Sequence, residues 1–260
     1  MPIAKQVRKS KIASSEFDFF DIVGNAEADG KKRTKGEKSK LKLLQAAVDI
    51  FREVAFHAAR VSDICAKAGM AQGSFYLYFR DKDSLASELI EILLEQLTNH
   101  VLHVPHFDDP FDAIKESNRR YAAFFRGSGQ INRAISQITD ALPETRVATD
   151  RVNVQIAQRV ADGIARRMPE TKTFERQRLA LAYGMVAMID GLYFGYFGSN
   201  ESSIQGLFKS DDELIEFASV LWYRAQFGRN PADQHFESAA AFKHFMLPLP
   251  NSKIHRKTAK

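Results

Sequence analysis

The sequence predicts an all-α protein made of a small N-terminal helical domain and a larger helical domain behind it. Three observations carry that reading. From Lys38 to about residue 228, apolar side chains recur at the 3.6-residue spacing of amphipathic helices. Pro110, Pro143 and Pro169 fall at the boundaries of the periodic segments, where proline is tolerated. No internal repeat or strand-rich section interrupts the pattern.

Residues 1–34 mix basic residues, Ser and Gly with an acidic-aromatic patch, "SEFDFFDIVGNAEADG". No helical period persists there, so the segment is predicted to be a disordered arm, with docking of the patch onto a partner as the alternative. The first stripe is Leu44, Ala47, Val48, Phe51 and Ala55. A second, Val61, Ile64, Cys65 and Ala68, has spacing i, i+3, i+4, i+7 and ends at Gly69, which tolerates the left-handed geometry of a helix C-terminus. A third short helix is expected over 72–78. A fourth begins near Asp81, whose carboxylate is able to cap the free amides of "KDSLASELIEILLEQL". Beyond it, helices are expected near 83–103, 110–126, 129–141, 144–168, 174–198 and 211–227. The predicted units are therefore 1–34 (arm), 35–82 (first domain), 83–228 (second domain) and 229–260 (C-terminal extension).

Composition narrows the class. A chain of 260 residues has ample length to bury a core, and 45% of it is hydrophobic. Its single cysteine, Cys65, cannot form an intramolecular disulfide and offers no metal cluster. The start, "MPIAKQVRKSKIASSEF", lacks an apolar signal core, and no run reads as long enough to span a bilayer. A cytoplasmic protein with no membrane partner is the expectation. Residues 1–83 hold 16 Lys/Arg against 11 Asp/Glu, whereas 84–260 hold 21 of each, so the formal charge of +5 lies in the first third. It is densest in "KKRTKGEKSKLK" (31–42), which suggests either a polyanion partner or a solvated leader.

The run "QGSFYLYF" (72–79) favours the polyanion. Four rings in eight positions exceed what a core helix needs. A helix, a short Gly-containing break and a second short helix make the helix-turn-helix pattern, whose second helix enters the DNA major groove. Two turns are too few to be stable alone, so packing must clamp them. Phe75 and Phe79, at i and i+4, share the face that would do so, leaving Gly73, Ser74, Tyr76, Leu77 and Tyr78 partly or wholly outward. Phenol hydroxyls, a Gln amide and a bare Gly suit close approach to phosphates and base edges.

The stretch "LLQAAVDIFREVAFHAARVSDICAKAGMAQGSFYLYFRDKDSLASELI", above all "VSDICAKAGMAQGSFYLYFRDKDSL" (61–85), resembles the N-terminal DNA-binding domain of TetR-type transcriptional regulators. The resemblance covers roughly 36–228. It departs from the family at Ala55, where Gly is usual, at Ala59-Arg60, where a Thr–Ser pair is usual, and at Ala71, often Ser. Losing a capping hydroxyl costs about 0.5–2 kcal/mol and leaves the architecture intact. Carried over by position, the resemblance implies that Gln72, Gly73 and Tyr76 face bases, that Ser74, Tyr78 and Lys82 hold phosphates, and that Leu77 reads a variable position. Arg60, with Ser62 beside it among the candidate contacts, supplies a further phosphate contact or is solvated.

For the second domain, the resemblance implies a homodimer through its last two helices and a small-molecule effector. "MVAMIDGLYFGYF" looks like the dimerising region, with Gly184, Ala187 and Gly191 allowing close approach and Phe194 and Trp222 beside them. Two copies related by a twofold axis would read a palindromic DNA operator. Tyr121, Phe124, Phe125, Tyr183, Met185, Met188, Tyr193 and Phe194 supply apolar surface with hydroxyl handles for an apolar effector, or plain core. "HVLHVPHFDD" (100–109) spaces three histidines by three, but Pro105 ends the helix and no second ligand pair is evident, so no metal site is expected. No phosphate-binding Gly loop or paired-carboxylate motif appears, and no cofactor is implied. A ligand-responsive repressor is thus the leading reading. A same-fold DNA-binding protein gated by a protein partner comes second, and an all-helical enzyme third.

Overall fold

The computed structural model describes residues 34–102, 104–128, 131–198 and 202–240. Ten α-helices and no strands lie among the described residues. The first three are α1 (Lys35–Glu53), α2 (Val61–Ala68) and α3 (Gln72–Phe75). The body comprises α4 (Lys82–Leu102), α5 (Pro110–Ser128), α6 (Ile131–Ala141), α7 (Pro143–Arg167), α8 (Glu175–Tyr193), α9 (Ser202–Gln205) and α10 (Asp211–Phe227). The expected arm, 1–33 of it, lies outside the described residues.

The first helix starts earlier than its apolar stripe. The Glu37 N–H donates to Thr34 Oγ1 at 3.2 Å, and the Thr34 N–H donates to Glu37 Oε2 at 2.7 Å. This reciprocal box satisfies amides the helix end would otherwise orphan. Leu44, Ala47, Val48 and Phe51 are buried as expected, but Ala55 is not part of the stripe. The helix stops at Glu53, Val54 is extended, and Ala55 is exposed. Phe56 takes the core position instead, its ring 5.5 Å from that of Phe51. Gly69 ends α2 at φ +65°, a conformation glycine adopts without steric cost.

The third helix is one turn rather than two. Regular helix covers Gln72–Phe75, and the chain runs on as a turn, with Tyr78 and Phe79 N–H both donating to the Phe75 carbonyl at 2.9 and 3.0 Å. Asp81 caps α4 as expected, accepting from the Ser84 N–H at 2.7 Å while Ser84 Oγ accepts from the Asp81 N–H.

In the body, α8 packs along α7, and α10 along α5. The segment 194–198 winds as π-helix, widening the end of α8 where Gly195 and Gly198 are buried. Glu175–Gly198 is, by length and composition, apolar enough to cross a membrane, which corrects the expectation that no run would be. Ala182, Met185, Val186, Ile189 and Tyr193 bury its inner side within the protein, while Leu181, Tyr183 and Met188 are exposed on the other.

Part of the C-terminal extension is structural. After Gly228 (φ +65°) the chain folds back over α5 and α10. The fully buried Glu216 accepts from the Ser238 and Ala239 N–H groups at 3.1 and 2.8 Å and from Lys115 Nζ at 3.1 Å. A buried carboxylate with three donors is satisfied. The His235 ring lies tilted against that of Phe111, centroids 4.6 Å apart, with its Nε2 3.0 Å from Asp109 Oδ2. Residues 241–260 lie outside the described residues.

Candidate nucleic-acid interface

The reading surface is built from behind. Phe75 is fully buried and Phe79 is 4% exposed, their ring centroids 5.6 Å apart. They dock the short α3 onto a core that includes Leu44, Ala47, Phe51 and Ile64. With that side pinned, the opposite side faces out. Gln72 and Gly73 are exposed, Tyr76 is 57% and Leu77 79% exposed, and Ser74 and Tyr78 are half-buried. A Cβ on Gly73 would point into open space, so internal packing does not demand a glycine there.

Arg60 is exposed just before α2 and makes no side-chain cap; Ser62 is exposed, its hydroxyl donating to Asp63 Oδ1 at 3.2 Å. Lys82 also makes contacts within the fold. Its ammonium donates to the Phe56 carbonyl at 2.7 Å and the Ala59 carbonyl at 3.1 Å, and lies 4.4 Å from the Phe56 ring centroid. The loop between α1 and α2 leaves those carbonyls without helical partners, and the nearest cation satisfies them. Lys82 thus clamps that loop.

Of the expected pocket residues, Tyr121, Phe124, Phe125 and Tyr193 do come together. The Tyr121 ring meets those of Phe125 and Tyr193 at centroid distances of 5.1 and 6.1 Å, and Phe125 meets Tyr193 edge-on. Met185 is buried, and Phe194 is partly buried against the same core. Tyr183 and Met188 do not belong to this group. They lie on the outward side of α8, 38% and 36% exposed, because the helix turns Ala182, Met185, Val186 and Ile189 inward. Gly184, Ala187 and Gly191 share that outward side. Trp222 and Phe194 pack partly inward, so these two are not in the outward stripe.

Two residues absent from the sequence reading stand out. Asp190 on α8 accepts a hydrogen bond from the Tyr121 hydroxyl among these rings, and loss of solvent pushes its pKa up to about 6. Burial, and secondarily the Asp190 charge, raises the Tyr121 phenol; burial also raises that of Tyr193. A single acid inside the apolar run "MVAMIDGLYFGYF" is a signal that was there to be read. Gln137 on α6 accepts from the Phe56 N–H at 2.8 Å, tying the body to the α1–α2 loop across 81 residues of sequence. No local pattern announces such a pair.

Two open grooves run along α4, neither lined by the expected pocket residues. One, of about 600 Å³, lies between Arg80, Asp83, Glu88, Glu91 and Glu144; the next, of about 340 Å³, lies between Leu94, Thr98, Arg151 and Val152. No group of three or more His, Cys, Asp or Glu suited to a metal occurs among the described residues. His106 pairs with Asp108 at 3.6 Å, and His103 lies outside the described residues.

With this geometry in place, comparisons with known proteins are informative. The family profile described as "Bacterial regulatory proteins, tetR family" matches residues 43–89, the stretch from mid-α1 into α4. The HTH-type transcriptional regulator YvdT of Bacillus subtilis, itself uncharacterized, is 40% identical over 80 residues; the match spans 31% of this chain and 40% of YvdT. Among solved structures, the fatty acid degradation regulator FadR of Bacillus halodurans superposes with a TM-score of 0.55 at 16% identity, over 77% of this chain and all of that one. FadR of Bacillus subtilis, solved in complex with stearoyl-CoA, gives 0.52 at 16% identity over 73% and 99%. At such identities these structures show a shared fold.

Proposed function

We propose that this chain, which carries the TetR-family profile over residues 43–89, is a ligand-responsive transcriptional repressor of that type, binding a palindromic operator as a homodimer. One observation carries the reading: Gln72, Gly73, Tyr76 and Leu77 stand exposed on a turn fixed from behind by Phe75 and Phe79. The Gln72 amide is suited to bond adenine through two atoms, each such pair discriminating by about 1–3 kcal/mol. Tyr76 faces the bases beside it, Ser74 and Tyr78 supply hydroxyls for the backbone, and Arg60 a cation.

One short helix reads too few bases, which favours two copies. The outward side of α8, with Gly184, Ala187 and Gly191 exposed beside Tyr183 and Met188, supports a helix-to-helix contact between subunits. Tyr121, Phe125 and Tyr193 around the Tyr121–Asp190 bond support an apolar effector with one polar anchor. The stearoyl chain of the stearoyl-CoA in complex with the Bacillus subtilis FadR, a protein of this fold, is apolar in the same sense.

Selection of binding sites from random duplex DNA by the purified full chain tests this. The expected result is a palindromic sequence. Tyr76→Ala should weaken binding to all sites, and Gln72→Ala should relax preference at one position of each half-site. If both variants select the wild-type sequence with wild-type strength, the assignment of readers is wrong.

A further inference from the structure

The fold treats two acids of the body differently. Glu216 on α10 is fully buried and has three donors, one of them the Lys115 ammonium. The Asp190 carboxyl on α8 has the Tyr121 hydroxyl, and no Lys, Arg or His among the described residues pairs with it. A carboxylate has about four acceptor sites, so the side chains around Asp190 leave most of its capacity unused. Loss of solvent also raises its pKa to about 6, so the ionised form opposes folding. Stability does not explain an acid at this position.

The surroundings suggest a use. The Tyr121 ring, whose hydroxyl holds Asp190, lies 5.1 Å from the ring of Phe125 and 6.1 Å from that of Tyr193. Phe125 and Tyr193 meet edge-on at 6.1 Å. Tyr193 follows Asp190 by three residues, the spacing of neighbours on one helix side. Aromatic faces carry the negative part of the ring quadrupole and attract an ammonium within about 6 Å of the centroid. Asp190 itself is half-buried, whereas Ile189 beside it is fully buried, so the carboxyl is reachable from outside. Rings alone would accept any apolar body. A single carboxylate among them favours a cation over a neutral molecule and penalises an anion.

We propose that the effector carries an ammonium group on an apolar body, and that Asp190 receives this group as an ion pair beside the Tyr121, Phe125 and Tyr193 rings. This rests on the effector site proposed above and fixes the charge of its ligand. The bound cation supplies the charge partner that the chain itself does not provide. The rings replace part of its hydration, and its apolar body packs against the same core. A neutral ligand forgoes the ion pair, and a carboxylate ligand sets like charges side by side.

The test titrates the purified full chain by calorimetry with three probes that share one alkyl chain: n-octylammonium, n-octanol and n-octanoate. At about pH 8, octylammonium should bind roughly ten- to a hundredfold more tightly than octanol, the range of one contact to a charged group. Octanoate should bind most weakly. Asp190→Asn still accepts from the Tyr121 hydroxyl but should lose the preference, with octanol binding both proteins alike. Phe125→Leu should weaken octylammonium several-fold more than octanol. Lowering the pH through about 6 protonates Asp190, while burial keeps the neighbouring Tyr121 and Tyr193 phenols protonated throughout. Octylammonium binding should therefore fall about tenfold by roughly pH 5, and octanol binding should not change. Octanol or octanoate binding as tightly as octylammonium, or an unchanged preference in Asp190→Asn, would overturn the proposal while leaving an apolar effector site in place. Binding of none of the three would overturn that site as well.

Discussion

Replacing Asp190 with Asn should make the protein more stable, and by an amount that depends on pH. In the fold this carboxyl titrates near 6, against about 3.9 in an unfolded chain, because the surrounding rings strip it of water. Below about pH 4 both states hold the proton and nothing is lost. Between about 4 and 6 the unfolded chain ionises first, and stability falls as pH rises. Above about 6 the whole penalty is in place, on the order of 3 kcal/mol. Asn keeps the shape and still accepts from the Tyr121 hydroxyl, but never ionises. Asp190→Asn should therefore melt roughly 6 °C higher than wild type at pH 8, with the gap closing towards pH 4. Differential scanning calorimetry of both proteins from pH 4 to 8 reads this directly. A variant less stable than wild type at pH 8, or a gap that does not change with pH, would refute the desolvated-carboxylate account.

Other substitutions separate packing from recognition. Phe75→Ala empties a fully buried site and should cost about 3–5 kcal/mol in urea unfolding, abolishing DNA binding as a consequence. Gly73→Ala meets no atom within 4 Å and should change stability by less than about 0.5 kcal/mol, yet weaken binding in a gel-shift assay by obstructing close approach. Lys82→Met orphans the Phe56 and Ala59 carbonyls and should cost about 1–3 kcal/mol, with faster hydrogen exchange in the α1–α2 loop. Glu216→Gln should speed exchange of the Ser238 and Ala239 amides while leaving that of α2 and α3 unchanged.

Periodicity located the long helices because each must bury one stripe, and that stripe is written locally. The helix-turn-helix was legible for the same reason, with Gly69 marking its turn and Phe75 and Phe79 its buried side. The errors arose where distant partners decide. Ala55 fitted the stripe by spacing, but the helix had already ended and Phe56 took the core site. For the same reason the contact of the Lys82 ammonium with carbonyls 23 and 26 residues upstream had no local pattern to announce it. Tyr183 and Met188 carried pocket-like chemistry, yet which side of α8 faces inward depends on its packing against α7. The Thr34–Glu37 box, by contrast, is a four-residue signature and was available from sequence alone.

Phe56 contributes an amide and a carbonyl, and the two are gripped from different directions: the amide by Gln137 of the body, the carbonyl by Lys82 at the start of α4. One residue is thus held at both ends, within a seam where α1 also meets α6 and α4 and which a continuous apolar core crosses. Loosening Gln137 alone should let the Phe56 amide exchange faster while that core keeps the seam closed.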